Sequence, residues 1–366
     1  MEMKKQRNCY IEFLRFVFTL LVVIAHYNGY FQNNVLKGRW NGHIGVEFFF
    51  VLSGFLLAAY CAKNAGKEPV HQATWTYIKR KALGLAPVYY VVLAYFVVRT
   101  LVIKKYTGLY LINFILQLMA SLFFLPSMGL VQSVAIPYGW YIGGMMLGIF
   151  ILFPFVYRWQ KGFTQMVAPL IVFIFCTWAM QVHGKLYMLQ SEWMGLCFPS
   201  TVRAIGDLCM GIFAYEICEF LKNKFSGQLT EVGRLLFTIT NVGMFVMVVY
   251  LVVVGLAGNV HPTVLLMFAF GVAITFSGID YTEKLNRIPI ASKICSGGGA
   301  LSLSLYLGQG IVINRFPEAY TLQQHGIYVY VLLCIIVAMI IYALSKAAGY
   351  FMRYLKKGFA SVCIKS

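Results

Sequence analysis

Arg15 and His26 bracket the run R-F-V-F-T-L-L-V-V-I-A-H. One is a cation and the other an imidazole that exchanges protons near neutrality. Both stand in a segment apolar enough for lipid, where ionisable groups are costly and point to function. They are eleven positions apart. At about 100° per residue this is roughly 20° beyond three full turns, so both project from nearly one helix face, about 16 Å apart along the axis. Glu47 opens the next apolar run, in H-I-G-V-E-F-F-F-V-L-S-G-F. A histidine with a carboxylate is a general-base arrangement, because the carboxylate orients the ring and stabilises its cation. Arg15 with Arg80 and Lys81, from the K-R-K run at 79–81, makes a cationic group suited to a phosphorylated ligand.

Several elements must hold these groups. The chain has 366 residues, 60% hydrophobic and 11% charged, with mean hydropathy +0.75. A soluble domain of that length needs far more polar surface, so the composition defines a multi-spanning helical membrane protein. No polar block is long enough for a second domain, and residues 1–366 read as one membrane domain. The net charge of +18 fits cytoplasmic loops facing anionic headgroups. No nucleic-acid motif or basic arm accompanies it. Nine cysteines lie scattered without a C-x-x-C pair and read as reduced, structural thiols. The histidines at His43, His71, His183, His261 and His325 fall in or near loops without metal-ligand spacing, so no metal is expected. M-E-M-K-K-Q-R before the first apolar run resembles a secretory leader, but no small-x-small site follows Ala25, and the segment reads as a retained helix.

Apolar spans run over Ile11–Phe31, Gly45–Cys61, Ala82–Ile103, Tyr138–Tyr157, Met166–Val182, Val202–Leu221, Gly233–Leu256, Thr263–Ile279, Ala300–Asn314 and Tyr328–Leu344. Leu111–Leu125 is a shorter candidate that ends at Pro126. Loop charge decides its role. If it does not span and the N-terminus is inside, the inward segments collect Lys4, Lys5, Arg7, Lys63, Lys67, Lys79, Arg80, Lys81, Arg158, Lys161, Lys222, Lys224, Arg234, Lys284, Arg287, Lys293, Lys346, Arg353, Lys356, Lys357 and Lys365. The outward segments keep only Lys37, Arg39, Lys104, Lys105, Lys185 and Arg315. If it does span, every later loop inverts. The positive-inside rule selects the first arrangement: about ten spanning helices, both termini cytoplasmic, and Leu111–Leu125 re-entrant or interfacial on the outer side.

That topology sorts the polar groups by depth. Arg15, Arg80 and Lys81 lie at the inner face. His26, Glu47, Gln309 and the Arg203/Asp207 pair lie toward the outer leaflet, where Trp140 and Tyr141 open another helix. Each residue has a plainer role open to it. Arg15 can snorkel to headgroups, His26 can bond a carbonyl, Glu47 can complement a helix N-terminus, and Arg203/Asp207 can be a structural i,i+4 pair. The shared face of Arg15 and His26, with Glu47 at matching depth, favours a joint role.

These residues carry a resemblance. E-F-L-R-F-V-F with His26 resembles the Arg-x10-His first-helix signature of the acyltransferase-3 family of integral membrane O-acyltransferases. G-V-E-F-F-F-V-L-S-G-F-L at 45–56 resembles its second-helix motif, and W-T-Y-I-K-R-K-A-L-G-L-A-P-V-Y at 75–89 its basic stretch. W-Y-I-G-G at 140–144 and L-S-L-S-L-Y-L-G-Q at 301–309 resemble later signatures. The chain departs at Gly84, where the family often has a basic residue, at Met145, often Glu, and at Gln309, often His.

The resemblance implies acyl transfer, an acetyl group first among candidates, from cytoplasmic acyl-CoA to a hydroxyl of a cell-envelope or exported carbohydrate. The protein would be multi-pass in the plasma or inner membrane. The nucleotide phosphates would meet Arg15, Arg80 and Lys81. The thioester would reach His26 as base with Glu47 beside it. The acceptor would meet Trp140, Tyr141, Arg203, Asp207 and Gln309. A transporter or flippase of a glycan or lipid-linked precursor is the alternative, with the same groups as relay or substrate residues, although no internal repeat supports it.

Overall fold

The computed structural model describes residues 8–31, 40–104, 107–126, 136, 138–184, 186, 197–225, 227, 229–256, 261–316 and 325–363. Every regular element among them is helical. The charges at Lys4, Lys5, Arg7, Lys37, Arg39, Lys105, Lys185 and Lys365 that entered the topology argument lie outside the described residues.

The helices are α1 (Cys9–Phe31), α2 (Gly45–Asn64), α3 (Val70–Lys104), α4 (Gly108–Leu122) and α5 (Trp140–Arg158). Then come α6 (Gln160–Gly162), which runs through a π turn at Phe163–Val167 into α7 (Ala168–His183), and α8 (Pro199–Phe225) and α9 (Glu231–Val253). The last are α10 (His261–Ser277), α11 (Pro289–Ile313) and α12 (Gly326–Cys363). Local chemistry sets several ends. Asn8 accepts from the Ile11 N–H at the start of α1 (3.2 Å), and Thr230 accepts from the Gly233 N–H at the start of α9 (3.2 Å). Gly184 closes α7 with φ +65°, the left-handed C-terminal position that glycine takes without a Cβ penalty.

Seven stretches are long and apolar enough to cross a membrane: Cys9–Asn28, Gly42–Asn64, Val70–Ile103, Trp140–Arg158, Gln160–His183, Glu231–Val253 and Gly326–Tyr350. Three further helices coincide with spans read from the sequence. α8 carries Arg203, Asp207, Glu216 and Glu219; α10 has 17 residues; and α11 is diluted by Ser296 to Gly299, Ser302 and Ser304. α4, with 15 residues, rises about 22 Å, short of a hydrocarbon core of about 30 Å.

The bundle is inside-out in polarity. Large apolar side chains face outward, such as Val98 and Val102 on α3, Ile239 and Val246 on α9, and Leu332 and Ile340 on α12. Polar groups, including Glu47, Arg203, Asp207, His261 and Gln309, are buried. Two close helix pairs organise it. α2 crosses α8 where Gly54 lies against the Leu208 carbonyl and Gly211 against the Val51 carbonyl, an approach that small residues permit. α1 packs on α11 with the Glu12 carboxylate over Gly299 and the Phe16 ring against Gly298. Phe18, Phe48 and Phe268 fill the space between α1, α2 and α10, with centroids 4.7 to 5.6 Å apart.

Candidate active site

His26 projects from α1 toward α11. Its Nδ1 lies 3.1 Å from Gln309 Oε1, and Gln309 Nε2 donates to the Tyr306 carbonyl at 2.8 Å. Because the amide nitrogen is engaged there, Oε1 is left to accept. The network therefore assigns the ring proton to Nδ1 and the lone pair to Nε2. The Tyr138 ring lies 4.2 Å from the imidazole, and the His43 ring 5.4 Å away, nearly perpendicular. Tyr138 has φ +65°, in the left-handed region that a residue with a Cβ seldom takes. Its carbonyl accepts from the Tyr306 hydroxyl at 3.0 Å. The same stretch of α11 thus fixes the ring through Gln309 and its aromatic lid through Tyr306.

Glu47 holds a different place from the one its depth predicts. Its carboxylate accepts from Arg203 at 2.6 Å and meets His261 Nε2 at 3.0 Å. The expectation that Glu47 orients the His26 ring is corrected: a neutral amide does so, and the carboxylate ties α2 to α8 and α10. Desolvation explains the choice, since a buried carboxylate needs a strong cationic partner and Arg203 supplies one. Arg203 accordingly turns away from its own helix neighbour. Its Nε is 3.9 Å from Asp207, whose two carboxyl oxygens have no hydrogen-bond partner among the described residues. The guanidinium also lies 5.1 Å from the Trp140 ring centroid, a cation–π contact that binds α8 to α5.

At the other end of α1, Arg15 pairs with Glu12 through both carboxylate oxygens at 3.0 Å. Lys81 points inward, into the electrostatic range of Arg15, with Nζ 3.5 Å from Ser53 Oγ. Arg80, one residue away on the helix, faces outward and is exposed, so the three predicted cations divide into an inner pair and a rim residue. Ser53 and the Tyr141 hydroxyl both reach Met145 Sδ, at 3.4 and 3.6 Å. A thioether, a weak acceptor, occupies the position where an acidic side chain was the expected family residue. The Tyr141 ring lies 5.7 Å from that of Tyr306. A polar series therefore runs from Arg15 and Lys81 through Ser53, Tyr141 and Tyr306 to Gln309 and His26, using α1, α3, α2, α5 and α11.

Sequence reading missed Glu12, His43 and His261. Glu12 was legible, three positions before Arg15 on the same face. His43 sits in the 3-10 turn Gly42–Ile44, just before the Glu47 motif, and had a positional signal. His261 reaches Glu47 across 214 residues, and nothing local announces that contact. Among the described residues, no cluster of His, Cys, Asp and Glu is arranged to hold a metal ion.

A polytopic helical bundle that encloses an oriented histidine and a series of polar groups is the class of protein these features define. The family model described as an acyltransferase domain matches residues 8–346, nearly the whole chain, and the protein belongs to the acyltransferase-3 family. Membership implies acyltransferase activity in general. No curated protein and no solved structure matches the chain.

Proposed function

We propose that the protein is a membrane-embedded O-acyltransferase that moves an acyl group, acetyl first among candidates, from cytoplasmic acyl-CoA to a hydroxyl of a cell-envelope or exported carbohydrate. The observation that carries this reading is the polar series that joins the Arg15–Lys81 pair to a His26 ring whose Nε2 lone pair is available. In this reading α8, α10 and α11 cross the plasma or inner membrane with the seven strongly apolar helices, giving ten spans with both termini cytoplasmic.

The donor phosphates meet Lys81 and Arg15, with Arg80 at the rim, because guanidinium and ammonium groups pair with phosphate oxygens. The pantetheine arm follows the polar series outward. His26 Nε2 takes the proton of the acceptor hydroxyl as its oxygen attacks the thioester carbonyl. The C–S bond then breaks, and the sulfur leaves with the proton from Nε2, so an ester and a free thiol are formed and the ring returns to its starting state. Gln309 keeps the Nδ1 proton in place through both steps. Glu47 acts as a positioning residue, locking Arg203 and His261 so that the helices behind His43 and Trp140 stay in register. Tyr141 lines the route, and Asp207 lies behind Arg203.

Purified full-length protein in proteoliposomes, supplied with acetyl-CoA and envelope glycan, tests the proposal by free-thiol release and by mass spectrometry of the glycan. His26→Ala should insert normally and lose both signals. Thiol release undiminished in that variant, or glycan movement across the membrane without any thiol release in the wild type, would overturn it.

A further inference from the structure

A cavity of about 430 Å³ opens between α3 and the end of α11, apart from the polar series. Its walls are Ala94, Tyr95, Val98 and Val102, and it also takes in Arg99 and Arg315. Val98 and Val102 are 60% and 66% exposed on a helix apolar enough to cross a membrane, so this wall faces lipid. Two arginines from distant parts of the chain line it together: Arg99 on α3, and Arg315 in the turn just beyond α11. The Arg99 Nε is enclosed and has no hydrogen-bond partner among the described residues. Arg315 is held in place by its backbone: its N–H bonds the Val312 carbonyl at 2.9 Å, and that of Phe316 bonds the same carbonyl at 2.7 Å. The Phe316 ring is buried against Tyr27 and Tyr330. Among the described residues no carboxylate lines the cavity.

We propose that this cavity is a site for an anionic glycerophospholipid, with the phosphate between Arg99 and Arg315 and an acyl chain along Val98 and Val102. Guanidinium groups bind phosphate through paired N–H donors and stay charged in a poorly hydrated setting. A lone arginine that snorkels to bulk headgroups has no shaped apolar wall and no second cation. Here a wall and a second cation occur together, and two arginines with no carboxylate beside them among the described lining residues favour a lipid of net negative charge over a zwitterionic one. The site is independent of acyl transfer. Its structural consequence is a tie between α3 and the end of α11, six positions after the Gln309 that orients His26.

The test uses full-length protein in dodecyl maltoside, titrated with dioctanoyl phosphatidylglycerol and followed by native mass spectrometry and by the rise of Tm with ligand concentration. Dioctanoyl phosphatidylcholine and dioctanoylglycerol serve as comparators. Phosphatidylglycerol should bind tightest, and Arg99→Gln/Arg315→Gln should weaken it about tenfold or more. Arg315→Gln alone, at an exposed side chain, and Val98→Trp, which fills the groove from an exposed position, should each weaken it several-fold with the fold intact. Equal binding of dioctanoylglycerol or phosphatidylcholine would overturn the proposal, as would phosphatidylglycerol binding unchanged by Arg315→Gln and Val98→Trp.

Discussion

His26 Nδ1 and Gln309 Oε1 are 3.1 Å apart, and the amide is itself fixed by its bond to the Tyr306 carbonyl. An uncharged side chain therefore sets the tautomer of the proposed base. Gln309→Leu, close in volume but without an acceptor, should leave the ring free to rotate and reduce kcat by about ten- to a hundredfold with little change in KM. Gln309→Glu keeps an oxygen facing Nδ1 and should retain far more activity than the leucine variant. Initial-rate kinetics on both variants check this; equal rates for the two would show that the amide does not orient the ring.

The adjacent cations Arg80 and Lys81 point in different directions. Lys81 reaches Ser53 and the field of Arg15, whereas Arg80 is exposed. Lys81→Gln should raise the KM for acetyl-CoA about tenfold with a smaller effect on kcat, because it removes a charge from the proposed donor site. Arg80→Gln should change KM by no more than about twofold at physiological ionic strength, since solvent screens a rim charge. Donor titrations of the two variants at several salt concentrations measure the contrast.

The contrast shows what sequence could and could not resolve. Helical period put Arg15 and His26 on one face, and it separates Arg80 from Lys81 by about 100° on theirs. It does not say which of the two looks inward, since that depends on how α3 rolls against α5, α11 and α12. Depth was legible in the same way: Glu47 lies at the His26 end of α1, near the His43 that faces the His26 ring. Pairing at that depth was not legible, because Arg203, His261, Gln309 and His43 arrive there from four distant segments. The carboxylate took the guanidinium because desolvation penalises an unpaired charge most, and the imidazole was left to an amide. Two of the spans read from the sequence are less apolar than the rest for a related reason. α8 buries Arg203 and Asp207, α11 buries glycines, serines and Gln309, and lipid-based hydropathy treats such interior helices as polar ones.

The Glu47–Arg203 bond of 2.6 Å is buried on both sides, with 1% and 3% exposure. Removing one partner strands the other charge, so Glu47→Met or Arg203→Met should each destabilise by about 3–5 kcal/mol. The double variant Glu47→Met/Arg203→Met should be less damaged than the worse single, because no stranded charge from the pair remains. Thermal denaturation in detergent of all four proteins completes the cycle. Additive losses would mean that the two groups do not share a bond in the folded protein.

At the α2–α8 crossing, a Cβ on Gly54 would meet the Leu208 carbonyl, and one on Gly211 the Val51 carbonyl. Backbone is on the far side of both contacts, so no rotamer change can make room. Gly54→Ala or Gly211→Ala should lower Tm markedly or abolish folded protein in size-exclusion chromatography. Gly243→Ala, on α9 with open space around it, should have no effect. Wild-type behaviour of the first two would place the helices farther apart.

Asp280, in the turn after α10, is buried and accepts from Asn241 Nδ2 at 2.7 Å and from the Thr282 hydroxyl at 2.9 Å. Burial pushes its carboxyl above the usual range, and the Asn241 and Thr282 bonds only partly offset this. In the unfolded chain the group loses its proton near 3.8. As pH rises from there toward the higher folded value, the unfolded state binds fewer protons than the folded one, so this carboxyl lowers stability as pH increases through that window. Asp280→Asn cannot ionise and removes that slope. The Tm of the variant minus that of the wild type should therefore grow more positive from about pH 4 toward neutrality, whatever its offset at the acidic end. Parallel Tm curves across the window would mean that Asp280 ionises in the fold as readily as in the open chain.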